Sequence, residues 1–348
     1  MQNTNYSETI PAQQRVLTVL IPTFNGEATV ARALISVINE IETNHLTGLV
    51  DIIVMDNGSA DRTYQIVSDL ASDKEWIGVY RSPKNLGLDS NLRMGMAKSE
   101  SLYTKILCDD DLFVPGYLAN LLEIISSNNS VDLIISSMSD LTESIDVNSI
   151  RRISKQFLSK GDVRYLEITG GAYGQLSTLC FKNDAWSLTN ESPILKDYVF
   201  HGMEFIARVY HLTIFGTCIW DESRLLLNDT GPKRWNQSHL DVFLVNSSHA
   251  LFIYNISLLD QESFQNRIGW KLWIKNARKR HSYQLILDFL SLKRDNISLR
   301  DDVVLKFIPR EFGSTRLNRL FLGFIGYIPK WLCTLIVRLD YVARRIRR

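Results

Sequence analysis

From Val16 onward the chain alternates short β-branched runs with stretches of helical periodicity, the pattern of repeated βαβ units. The runs are Val16–Ile21, Val50–Met55, Ile77–Tyr80, Tyr103–Leu107 and Val131–Ser136. Two segments, VLTVLI and DIIVMD, are apolar nearly throughout, as central strands covered on both faces must be. Between the runs, residues 27–43 place Val30, Leu34, Val37, Ile38 and Ile41 on one helical face, and residues 61–70 read as a second helix. The first 140 residues are therefore expected to form a parallel α/β sheet.

After residue 140 the alternation weakens. Residues 139–161 are polar, partly basic and poorly periodic, which marks a junction. Residues 169–216 combine a glycine-rich entry (Gly170, Gly171, Gly174) with an apolar helical stretch, Met203–Leu212, and beyond Asn246 the pattern is helical and increasingly basic. The expected organisation is a disordered polar lead-in at 1–15, an α/β half at 16–140, a second half of the same domain at 141–245, and a helical C-terminal region at 246–348. Internal repeats and low-complexity tracts are not found.

Composition narrows the classes. At 348 residues and 45% hydrophobic the chain can bury a substantial core. Lysine plus arginine number 39 against 38 acidic residues, so no strong average field gathers nucleic acid, and none is expected as a partner. Cys108, Cys180, Cys218 and Cys333 lie far apart without a CxxC pair, as reduced cytoplasmic thiols do. The N-terminus lacks the apolar stretch of a secretory signal. The most apolar segment, 320–337, is broken by Gly323, Gly326, Pro329 and Lys330 before it reaches the roughly 18 to 20 residues of a span. Lying on a membrane surface stays open.

In an open parallel sheet, ligands bind beyond the carboxyl ends of the strands. Four such ends carry polar clusters: IPTFNGE at 21–27, MDNGSADRT at 55–63, NLGLDSN at 85–91 and LCDDD at 107–111. Any one of them could be a turn with a helix cap. Asp109, Asp110 and Asp111, however, repel one another at the end of an apolar strand, a cost that capping does not explain and a divalent cation removes. Mn²⁺ or Mg²⁺ with a nucleotide diphosphate is the expected ligand. The chain has no GxGxxG after the first strand, no GxxxxGK[ST], and no glycine-rich, arginine-containing loop of the nucleotidylyltransferase kind.

The ordered motifs IPTFNGE, MDNGSADRT, NLGLDSN and LCDDD resemble the nucleotide-binding half of family 2 glycosyltransferases of the GT-A fold, over roughly residues 16 to 135. That resemblance implies a Rossmann-like, mostly parallel sheet with helices on both faces, and sugar transfer from a nucleotide-diphosphate sugar, most simply with inversion. It implies a metal on Asp111, with Asp109 beside it, and a base read by Asp56. Pro22, Thr23, Asn25, Glu27, Asn57, Asn85, Gly87, Asp89, Asn91, Asp109 and Asp110 would line the donor cleft. The segment TGGAYGQLSTL at 169–179, Trp186 and the stretch 198–210 are similar to the abequosyltransferase-like enzymes of bacterial O-antigen assembly, which implies a saccharide acceptor carried on a lipid. The Glu-Asp pair common in the family is missing. Phe200-His201-Gly202-Met203-Glu204 stands there, so the base is Glu204, His201 or Asp197. Lys233 and Arg234, in DTGPKRW at 229–235, would clamp the departing diphosphate.

From Leu332 the positions Leu332, Leu335, Ile336, Leu339, Val342, Ala343 and Ile346 form one helical face, with Arg338, Arg344, Arg345, Arg347 and Arg348 around it. Such a basic amphipathic helix is expected to meet an anionic membrane through residues 320–348, at the inner face of the cell membrane. Two other functions compete with transfer: a catalytically silent saccharide-binding protein of the same fold, favoured by the lost Glu-Asp pair, and a sugar nucleotidyltransferase, disfavoured by the missing loop.

Overall fold

The computed structural model describes residues 15–128, 130–140, 155–158, 175–196 and 202–228, with positions 252, 255, 256, 287, 288, 290, 291, 329, 332, 333 and 336. Residues 1–14, most of the 141–174 junction, Asp197, His201, Lys233, Arg234 and most of the C-terminal tail lie outside the described residues.

Four strands, β1 (Leu17–Thr23), β2 (Val50–Asp56), β3 (Ile77–Arg81) and β4 (Tyr103–Ile106), pair in parallel in the order β3-β2-β1-β4. The connections carry α1 (Val30–Thr43), α2 (Thr63–Ala71) and α3 (Leu88–Met96). All seven residues of β1 are buried, and its alternation shows why. Leu17, Val19 and Ile21 join Val30, Leu34, Val37 and Ile41 of α1 in one core, each contributing about 1.5–3 kcal/mol by burial. Leu20 points the other way, against Gly95 of α3, where even a methyl group would collide with it. Helices therefore cover both faces of the central strands, as the apolar VLTVLI run requires.

The rest of the sheet departs from simple repetition. After β5 (Leu112–Phe113) and α4 (Tyr117–Ser127) come β6 (Leu133–Asp140), β7 (Lys155–Leu158), β8 (Leu179–Lys182), α5 (Asn183–Leu188), α6 (Glu204–Phe215) and β9 (Cys218–Asn228). The order is β3-β2-β1-β4-β8-β6-β9-β5, with β7 on β9. The run at 131–136 forms β6, yet it does not pair with β4, because β8 lies between them antiparallel to both. Four residues of β8, LCFK, are too few to show a period, so sequence alone passes over this strand.

The chain divides into two compact units, residues 1–192 with 204–231, and residues 193–203 with 232–348. The sheet belongs to the first. In the second, Phe252, Ile256, Leu287, Leu290 and Cys333 are buried, and the Asn255 amide donates to the carbonyls of Ile194 (2.9 Å) and Lys196 (2.8 Å). All four cysteines are free thiols. Among the described residues no helix is long and apolar enough to cross a membrane.

Candidate active site

The register brings Thr23 of β1, Asp56 of β2 and Arg81 of β3 into one row at the carboxyl ends of the strands. The loop after β1, Pro22 to Glu27, is pinned to the loop after β2. Asn25 adopts the left-handed region (φ 51°), donates its N–H to Ser59 Oγ (2.8 Å), and accepts the Ala60 N–H on Oδ1 (2.9 Å). Gly26 donates its N–H to Thr63 Oγ1 (2.7 Å), and Glu27 accepts from Arg62 N–H and Nε (3.2 and 3.3 Å). Gly26 is required by space: a Cβ there would run into the Asp109 carboxylate and the Thr23 hydroxyl. Those two groups are bonded to each other, Thr23 Oγ1 donating to Asp109 Oδ2 at 2.5 Å.

Asp56 is fully buried. Its Oδ1 accepts the Ser59 N–H (3.0 Å) and the Ser59 hydroxyl, while its Oδ2 faces Arg81 Nε at 3.2 Å without the angle of a hydrogen bond. Arg81 Nη2 donates instead to the Ser59 carbonyl (2.6 Å). Asn57 ties the second loop to the third. Its Nδ2 donates to Asn85 Oδ1 (2.9 Å) and the Gly87 carbonyl (3.3 Å), and its Oδ1 accepts the Leu86 N–H (2.9 Å). Asn91 donates to the Met55 carbonyl (2.9 Å) and so seats α3 against β2.

The third motif also reaches α6. Asp89 is buried, and its Oδ1 accepts the N–H of Glu204 (3.1 Å), capping α6 from another element. Glu204 Oε1 accepts from Arg208 Nε (3.0 Å) and Nη2, and Glu204 Oε2 faces Arg93 Nε at 3.7 Å. Arg208 is buried, with its guanidinium carbon 4.2 Å from the centre of the Trp186 ring. It also donates to the Trp186 carbonyl (3.1 Å) and Thr189 Oγ1 (2.5 Å). Burial holds its pKa below the usual arginine value, against the pull of Glu204.

At the end of β4, ligand atoms of Cys108, Asp110 and Asp111 lie within 4.8 Å of one another. Asp109 turns to Thr23, so Asp110, rather than Asp109, accompanies Asp111. The Cys108 thiol is pushed well up by burial, then by Asp111 and Asp110, and stays protonated. A protonated thiol is a poor ligand, so the group offers hard carboxylate oxygens, which fit Mg²⁺ or Mn²⁺.

A family model described as glycosyl transferase family 2 matches residues 18–180. Over that segment the chain is similar to family 2 glycosyltransferases. Two curated relatives align with it in part. An uncharacterized glycosyltransferase of Haemophilus influenzae is 22% identical over 116 residues, 33% of this chain and 44% of its own length. The GalNAc(5)-diNAcBac-PP-undecaprenol beta-1,3-glucosyltransferase of Campylobacter jejuni is 28% identical over 108 residues, 31% of this chain and 33% of its own length. The chain thus spans less than half the length of the curated relatives it matches. Among solved structures, S. aureus TarS 1-349 superposes with a TM-score of 0.52 at 16% identity, covering 83% of each chain. Mannosyltransferase PcManGT from Pyrobaculum calidifontis, solved with GDP-Man and Mn²⁺, gives 0.54 at 12% identity over 94% of this chain and 88% of its own. The fold is that of the GT-A glycosyltransferases.

The fold gathers Thr23, Asn25, Asp56, Asn57, Asn85, Gly87, Asp109, Asp110 and Asp111 along one edge of the sheet, and sets Asp89 of α3 against the N-terminus of the helix that carries Glu204. Glu27 is engaged with Arg62, an exposed side chain. Arg81, Ser59, Arg93, Arg208, Lys105 and Ser177 were not singled out from sequence. Arg208 had a readable signal, its spacing of four from Glu204 on one helix. Ser59 lies in the Asp56 loop itself, whereas Arg81, Arg93, Lys105 and Ser177 meet their site partners only through contacts between segments distant in sequence. Of the tail, Pro329, Leu332, Cys333 and Ile336 are described, and Cys333 is buried.

Proposed function

We propose that the chain transfers a sugar from a nucleotide-diphosphate sugar to a saccharide acceptor. The observation that carries this reading is the meeting, within a family 2-like region of GT-A fold, of the Thr23–Asp109 pair with the Asp110 and Asp111 carboxylates at the strand ends. Asp56 reads the nucleobase through Oδ2, the single carboxylate oxygen among the described residues that is buried without a hydrogen bond. Asp111 and Asp110 would hold Mn²⁺ or Mg²⁺, which would offset the charge of the diphosphate leaving group. Glu204 Oε1 is engaged by Arg208, and Oε2, which faces Arg93 Nε at 3.7 Å, takes the acceptor's hydroxyl proton. The acceptor oxygen bonds to the anomeric carbon from the side opposite the diphosphate, the bond to the diphosphate oxygen breaks, and the nucleoside diphosphate leaves. Configuration inverts. Lys233 and Arg234 neutralise that leaving group.

The acceptor is a lipid-linked saccharide, in keeping with the undecaprenol-linked saccharide in the name of the Campylobacter relative, and the setting is bacterial O-antigen or other surface polysaccharide synthesis. A protein of this kind works in the cytoplasm at the inner face of the membrane, which the basic tail at 320–348 would meet as a peripheral contact.

Glu204→Gln tests the assignment of the base. The variant should keep donor affinity and lose transfer by about 10² to 10⁴. Titration calorimetry with the donor and a turnover assay on the same preparation measure the two. Full turnover in Glu204→Gln would move the role to His201 or Asp197.

A further inference from the structure

Asp111 is braced from behind. Strands β4 and β8 pair antiparallel, with Lys105 opposite Cys180, and carrying that register three residues further sets Ser177 opposite Cys108. Ser177 lies in the 3₁₀ turn Leu176–Thr178 and is buried. Its Oγ accepts the Cys108 N–H (2.7 Å) and donates to Asp111 Oδ2 (2.5 Å). A hydroxyl has one proton, and the amide approaching its oxygen directs that proton at the carboxylate. The same serine's carbonyl accepts from Nζ of Lys105, a fully buried lysine on β4 whose ammonium stands 5.0 Å from the centre of the Tyr117 ring. Burying a lysine at a sheet centre is costly unless its head group is bonded. Here the bond runs to the residue that orients Asp111.

We propose that Ser177 is a positioning residue for Asp111, with Lys105 as its anchor, and that together they set the carboxylate for the divalent cation. The inference rests on the metal reading given under the proposed function. Lys105 could alternatively act by charge alone, and the two roles differ in sign. As a cation it repels a second cation, so losing the charge would tighten metal binding, whereas losing an anchor loosens it.

The test is a Mn²⁺ titration of the full chain, read by the electron paramagnetic resonance signal of free Mn²⁺, with and without UDP or GDP. Ser177→Ala should weaken Mn²⁺ binding about 10- to 100-fold, the usual cost of removing an outer partner of a metal ligand. Ser177→Thr, which retains the hydroxyl, should restore most of it, and Lys105→Met should weaken binding in the same direction as Ser177→Ala. A merely structural serine would lower the melting temperature of Ser177→Ala and leave Mn²⁺ affinity at the wild-type value, which overturns the proposal. Tighter Mn²⁺ binding by Lys105→Met overturns the anchor. Should Lys105→Met fail to fold, Ser177→Ala decides alone. Asp111→Asn is the reference. Wild-type binding lost in Asp111→Asn but unchanged in Ser177→Ala sinks this inference only, while a wild type that binds no Mn²⁺ sinks the metal reading and the inference with it.

Discussion

Asp111→Asn should abolish the metal-dependent part of nucleotide-sugar binding and leave the fold intact. The amide has the shape of the carboxylate and still offers an oxygen to the Ser177 hydroxyl, so the turn after β4 keeps its bond. What it lacks is the negative charge. Asp110 and a protonated Cys108 would remain near the position, one anion in place of two. The loss of Mn²⁺ affinity should exceed the roughly 10- to 100-fold that changes behind a metal ligand produce. Calorimetric titration with and without Mn²⁺, beside a melting curve, reads both parts. An undiminished response to Mn²⁺ would remove Asp111 from the site.

Arg208→Met should be the most destabilising change around α6. Removing one member of a buried pair leaves the other charge without its partner, at about 3–5 kcal/mol. The Arg208 guanidinium meets Glu204, the Trp186 carbonyl and Thr189 at once, and its face lies over the Trp186 ring, so one truncation releases α6 from the segment around α5. Arg93 faces Glu204 at 3.7 Å with a half-exposed side chain, and screening by water limits what it can replace. The double change Arg208→Met with Glu204→Leu should recover most of the stability, because an apolar pair of similar volume carries no unpaired charge. Urea denaturation of both proteins checks this. Equal losses in the single and double variants would show that packing on Trp186, rather than charge, holds the helix.

The two results bear on different parts of the molecule, and those parts were unequally legible in the sequence. VLTVLI and DIIVMD announce central strands because a strand covered on both faces has no polar side to show. The donor loops were legible for a related reason: each follows an apolar run directly, so its Asn, Asp and Gly residues had to fall at the carboxyl edge. NLGLDSN reads as a polar cluster that can turn into a helix cap, and it does so: Gly87 at φ 83° turns the chain and the helix starts at Leu88, inside the motif. Lys105 is the clearest case of what sequence conceals. A lysine in a β-branched run looks like an edge residue, and only the insertion of β8 beside β4 explains its burial. Burial then draws it down to about 7, with Cys180, Asp221 and Asp111 acting in the opposite direction. Ser177 is hidden likewise, because its meeting with Asp111 depends on a register between strands more than seventy residues apart.

The central claim is that this cleft holds a nucleotide-diphosphate sugar together with a divalent cation. The most direct measurement is the melting temperature of the full chain against a panel of nucleotide-diphosphate sugars, each with Mn²⁺ and with a chelator. A ligand that binds only the folded state at 100 times its Kd stabilises it by about 2.7 kcal/mol, a shift of several degrees or less in a chain of this size. The expected result is that at least one donor raises the melting temperature with Mn²⁺ and loses that effect with the chelator. No shift from any donor, or an equal shift with the chelator present, would contradict it.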